Sequence, residues 1–167
     1  RFQRDALALN QKLFGKNHSN VASSLNNLAN MLASRGKLAE AIALQREALA
    51  LSRRLLGEAN ADVAISLNNL ALLLREDGRL AEAETEARAA LAMRRRLLPP
   101  EHPNLAISLN TLANVLFDAN QLPEAEALGR EILTVQKKLH PEDHEEVAVA
   151  LNDLATFVNT GIRFLGN

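Results

Sequence analysis

The chain has 167 residues, a net charge of −1 and 47% hydrophobic residues, with no long uninterrupted apolar run. Balanced charge argues against a nucleic-acid surface, which needs a basic excess to neutralise phosphates, and nothing approaches the roughly 20 apolar residues that span a bilayer. The absence of cysteine removes disulfides, thiolate metal sites and cysteine nucleophiles together, and it is compatible with a reducing cytoplasm, the location expected here.

Alanine and leucine dominate while glycine and proline are few, which is helix composition. Along the chain, apolar spacing predicts helices over 1–14, 20–34, 38–56, 63–77, 80–98, 105–118, 122–139 and 146–160. A repeat governs their order. VASSLNNLA begins at Val21, VAISLNNLA at Val63, LAISLNTLA at Leu105 and VAVALNDLA at Val147, each 42 residues after the last. Such a period marks one supersecondary unit stacked on itself.

In the first unit Val21, Leu25, Leu28, Ala29 and Leu32 form the apolar face of a first helix. Gly36 then permits a left-handed turn, and Leu38, Ala41, Ile42, Ala48 and Leu49 begin a second face. Gly78 and Asn120 take the place of Gly36 in the next two units. Short turns force antiparallel neighbours, so 19–57, 62–98 and 104–140 read as complete helical hairpins. Ala29, Ala71, Ala113 and Ala155 share one position, and Ala41, Ala83 and Ala125 another, where helix backbones approach closely. Around them Leu28, Leu70, Leu112 and Leu154 present apolar surface that the next unit must cover. The frame also places the ends. Leu7, Leu9 and Leu13 align with Leu49, Leu51 and Leu55, so 1–14 reads as a leading second helix. Phe164 aligns with Leu38, so 145–167 reads as a final first helix and tail, and the chain as a single array cut from a longer one.

The hairpin signature Leu25, Leu28, Ala29, Leu32, Gly36, Leu38, Ala41 and Ala48 resembles the tetratricopeptide repeat, and the 42-residue period with LNNLA in the first helix resembles its kinesin light chain type. The resemblance implies an all-α, right-handed superhelical solenoid of helix-turn-helix repeats whose first helices line a concave groove. It further implies a non-catalytic module that binds a protein or peptide there, with no cofactor. This sequence departs from the pattern at the aromatic slots. Leu32, Leu74, Leu116 and Val158 stand in one, and Gln45, Ala87 and Gly129 in the other. Gly129 inside a helix costs about 1 kcal/mol relative to alanine, which makes the third hairpin the expected soft point.

Asparagines are the sharpest functional signal. Asn26, Asn68, Asn110 and Asn152 recur at one position, and Asn27 and Asn69 accompany the first two. The resemblance implies that such asparagines hydrogen-bond the backbone of an extended ligand. An amide offers donor and acceptor together, which suits a peptide bond in any sequence context. The alternative is that one column bonds the adjacent repeat and holds the stack. Beside these lie positions that differ between units, where specificity can sit: Asn30, Leu72 and Asn114 in one column, Arg75 and Phe117 in the next. Arg75 would meet an acidic group and Phe117 an apolar one, unless Arg75 is solvated and Phe117 packs on its neighbour.

Basic pairs and triplets end the second helices, at Arg53–Arg54, Arg94–Arg96 and Lys137–Lys138. They read as complements to the helix dipole, with acids including Glu58, Asp62, Glu101, Glu142 and Asp143 at the following starts. His18, His102 and His144 occupy equivalent positions one or two repeats apart, which favours loop or capping roles over one metal site. No nucleophile–base pair, phosphate loop or zinc motif is present, so no enzyme is expected. Two readings remain: a groove that binds a partner segment, and an architectural arm that joins effector domains in a larger protein.

Overall fold

The computed structural model describes residues 2–141 and 144–165, with side chains through residue 161. Among these residues all regular structure is helical: α1 (Phe2–Phe14), α2 (Ser19–Ala33), α3 (Leu38–Leu56), α4 (Ala61–Glu76), α5 (Leu80–Leu97), α6 (Pro103–Asp118), α7 (Leu122–Leu139) and α8 (Glu145–Leu165). The fold is an all-α helical repeat. No helix of the described residues is long and apolar enough to cross a membrane.

Each first helix starts one or two residues ahead of its expected position because a capping side chain stands before it. His18 Nδ1 accepts from the Asn20 N–H at 3.2 Å, Asn60 Oδ1 from the Asp62 N–H at 2.8 Å, His102 Nδ1 from the Asn104 N–H at 3.1 Å and His144 Nδ1 from the Glu146 N–H at 3.3 Å. Each satisfies a donor that the first helical turn leaves orphaned. The hairpin turns use the expected residues, with Gly36 at φ 73°, Gly78 at φ 77° and Asn120 at φ 59°.

The last helix departs from expectation. The repeat frame puts a turn after residue 160, yet α8 continues to Leu165. Ile162 stands where the other units have Gly36, Gly78 and Asn120, and a β-branched residue resists the left-handed conformation that ends a helix there. Glu142, Asp143, Gly166 and Asn167 lie outside the described residues.

The helices form two compact units, residues 1–93 and 94–167, divided within α5. In the first, α1 packs on α2, α2 on α3 and α3 on α4; in the second, α6 packs on α7 and α7 on α8. Ala29, Ala41, Ala71 and Ala83 in the first unit, and Ala113 and Ala125 in the second, are fully buried. Absence of a larger side chain lets the backbones close, and Leu28, Leu70 and Leu112 fill the space around them. Leu154 on α8 is half-buried.

Arginines and glutamates 36 residues apart link successive second helices: Arg4 to Glu40 at 3.4 Å, Arg46 to Glu82 at 2.8 Å and Arg95 to Glu131 at 2.7 Å. The basic helix ends are therefore more specific than dipole complements. Arg53 pairs with Glu58, Lys138 with Glu101, and Arg54 donates to Asn17. Arg94 leaves the solvated face altogether. It is 5% exposed and donates to the Asn104 carbonyl at 2.6 Å and to Ser108 Oγ at 2.9 Å. Burial lowers its pKa, because no carboxylate offsets the desolvation.

Candidate interaction grooves

Between α2 and α4, over the last turns of α3, lies a groove of about 260 Å³. Asn26, Asn27 and Asn30 form its α2 wall, Ser52 and Leu56 its floor, and Asp62, Ile65 and Asn69 its α4 wall. The second unit builds a groove of about 230 Å³ between α6 and α8 over the end of α7. Most of its residues are repeat equivalents of the first, among them Ala106 for Ala22, Asn110 for Asn26, Gln136 for Ser52, His140 for Leu56 and Glu146 for Asp62. The same backbone frame thus produces the same depression twice, and the helical period puts an amide on the wall each time.

The candidate asparagines separate into distinct environments. Asn27 and Asn30 are exposed in the first groove and Asn69 is half-buried there. Asn26 is half-buried, and its Oδ1 accepts from Gln45 Nε2 at 2.7 Å. Asn110 Oδ1 accepts from Asn114 Nδ2 at 2.9 Å, which orients the two amides as a pair. Asn68 is 3% exposed within α4, whereas Asn152 is exposed on α8. Leu72 presents 42% of its surface. Arg75 is half-buried. Phe117 is half-buried too, and its ring lies 5.3 Å from that of Phe157.

Two features escaped the sequence reading. Gln45 is fully buried, and its amide joins three elements by donating to Asn26 and, at 3.1 Å, to the Ser66 carbonyl. A glutamine in a slot flanked by alanines at Ala41 and Ala48 was the available signal. Ile65, Ile107 and Val149 stand at one repeat position and remain 39%, 50% and 43% exposed. Three β-branched residues recurring outside the core stripe were the signal for this second column, and its first two members face the grooves.

The sequence matches the model of the tetratricopeptide repeat over residues 1–54, 20–96 and 62–138. The chain belongs to the tetratricopeptide repeat family. Repeats of this family are generally protein-interaction modules. A search of curated proteins finds no significant match. Among solved structures, a kinesin light chain-like chain of nearly identical repeats from Podosopora anserina superposes with a TM-score of 0.83 at 22% identity, covering 96% of this chain and 76% of that one. BtubC from P. vanneervenii gives a TM-score of 0.86 at 21% identity over 98% of this chain and 65% of that one. The first tetratricopeptide domain of Spaghetti, bound to the HSP90 peptide SRMEEVD, gives 0.64 at 19% identity over 86% of this chain and 94% of that one. The likeness at these identities is one of fold.

Proposed function

We propose that this tetratricopeptide chain is a non-catalytic module that holds an extended partner segment in the grooves between successive first helices. The observation that carries the reading is the duplicated groove with an amide at the same place on each wall, Asn26 in one and Asn110 in the other. Asn27, Asn30 and Asn69 would bond the ligand backbone beside Asn26, and Leu72, Arg75, Asn114 and Phe117 would contact its side chains. Asn152 would extend the amide row on α8. Such a ligand needs no shape change in a surface already built from rigid helices.

Replacing Asn27 and Asn69 by alanine tests this against peptides recovered from a random library. Each lost hydrogen bond is worth roughly 0.5–1.5 kcal/mol, so affinity should fall about five- to a hundredfold. The melting temperature should hold or rise, since alanine is the better helix former. Unchanged affinity would end the proposal.

The architectural reading draws its support from the first unit. There Gln45 ties Asn26 to the next helix, and Asn68 is buried rather than presented. On that reading the amide column serves cohesion between repeats, and replacing Asn27 and Asn69 would leave every partner interaction intact.

A further inference from the structure

Asp62 and Glu146 occupy one repeat position, each on the helix that closes a groove, and each is exposed to it. Most carboxylates on the second helices are already neutralised: Glu40, Glu82, Glu84, Glu126 and Glu131 all pair with arginine or lysine. Asp62 and Glu146 have no such partner among the described residues, and neither groove lining contains lysine or arginine. At the ends of α3 and α7, Arg54 donates to Asn17 and Lys138 to Glu101, in the segments that precede the first helices.

Complementing the helix dipole does not account for the pair. The equivalent positions on α2 and α6, the opening helices of the two grooves, hold Asn20 and Asn104. All four helix starts are capped by the same kind of side-chain acceptor, so an acid is not needed to begin these helices. Each groove also holds an exposed aliphatic side chain, Ile65 on the same helix as Asp62 in one and Ile107 on the wall opposite Glu146 in the other.

We infer that the grooves select a partner segment carrying lysine or arginine beside apolar residues, with Asp62 and Glu146 as the anchors of its cationic groups. The inference rests on the proposed groove-binding function and names the class of its ligand. It runs opposite in net charge to the peptide SRMEEVD bound by the Spaghetti domain. The aliphatic stems of lysine and arginine suit such a surface, because they lie along apolar side chains while the charged head reaches polar groups.

Selection of a random dodecapeptide display library on the full chain, with Asp62→Asn/Glu146→Gln as the parallel bait, tests the inference. Circular dichroism confirms that both baits are folded. Lysine and arginine should be enriched about two- to fivefold over the starting library, the range for a solvent-exposed ion pair, and the enrichment should fall to parity on the double variant. A recovered pool that is neutral or acidic overturns the inference while leaving groove binding standing, provided the pool loses affinity for Asn27→Ala/Asn69→Ala. Basic enrichment that survives on the double variant also overturns it, since the charge would then be read elsewhere. Failure of any pool to form removes groove binding and the inference with it.

Discussion

Gln45 and Gly129 hold the same position in the repeat and solve the same packing problem in opposite ways. In the first unit the second helix fills the seam itself, with a fully buried amide that reaches Asn26 and the Ser66 carbonyl. In the second unit the second helix contributes nothing at that point, and Phe157 arrives from α8. A Cβ placed on residue 129 would meet the Phe157 ring at 3.1 Å and Leu154 at 3.2 Å. The Phe157 ring is also partnered by Phe117. Backbones held at fixed spacing leave a volume that some side chain must occupy at interior density, and either side of the seam can supply it. Gly129, which by propensity alone weakens its helix, is thus the socket for the largest side chain in the second unit's core. The price of the polar solution is visible as well, since Gln45 Oε1 and Ser66 Oγ are buried without a hydrogen-bond partner.

The comparison breaks first at the ring. Phe157→Ala should cost about 3–5 kcal/mol, because it removes a buried aromatic and leaves facing glycine no means to close the gap. A loss below about 1 kcal/mol in urea denaturation would mean that α8 is not held through this socket. Gln45→Ala should cost about 1–3 kcal/mol, partly through the volume it empties in the seam and partly through the unpaired Ser66 and Asn26 acceptors. Gln45→Met, which keeps the volume and removes the unpartnered oxygen, should recover much of that loss. Equal losses for the two variants would assign the effect to polarity rather than to filled volume.

Gly129→Ala sharpens the contrast at smaller scale. A helix gains about 1 kcal/mol from this change when the site is open, but here the new methyl group presses on Phe157 and Leu154, so the net effect on the denaturation midpoint should stay under about 1 kcal/mol of either sign. The full gain would show that the ring does not sit against residue 129. The smallest effect belongs to the exposed bridges. Glu40, chiefly through its hydrogen bond from Lys37, and Glu82, chiefly through that from Arg79, are held below the ordinary value of 4.5. A folded-state value that is lowered contributes stability above the unfolded value, and that contribution is lost as pH falls through the folded one. Melting followed from about pH 5 to about pH 3 should therefore decline slightly more steeply for the parent chain than for Glu40→Gln/Glu82→Gln.

Much of this protein could be read from local pattern. The 42-residue period placed the helices, and the glycines and Asn120 placed the turns between them, because a left-handed residue is a requirement of the chain's own geometry. The repeat spacing of His18, His102 and His144 pointed to loop or capping roles, and each accepts a hydrogen bond at a helix start. Even the continuation of α8 had a local signal, in Ile162 at the turn position. The candidate site was legible only as columns. Repetition announced that Asn26, Asn68 and Asn110 share a place on the helix, but not that one would bond Gln45, one would be buried and one would pair with Asn114.

Those outcomes depend on what the next helix brings to the same spot, and the repeats differ there. Sequence by itself determined the helices, their order and the faces they present, since these follow from propensity, period and turn chemistry within a few residues of each position. Tertiary structure alone decided which amides line a groove, why Arg94 turns inward onto Ser108, and how Gly129 becomes a socket. Burial and hydrogen bonding are properties of pairs of surfaces, and a single helix carries only one of the two.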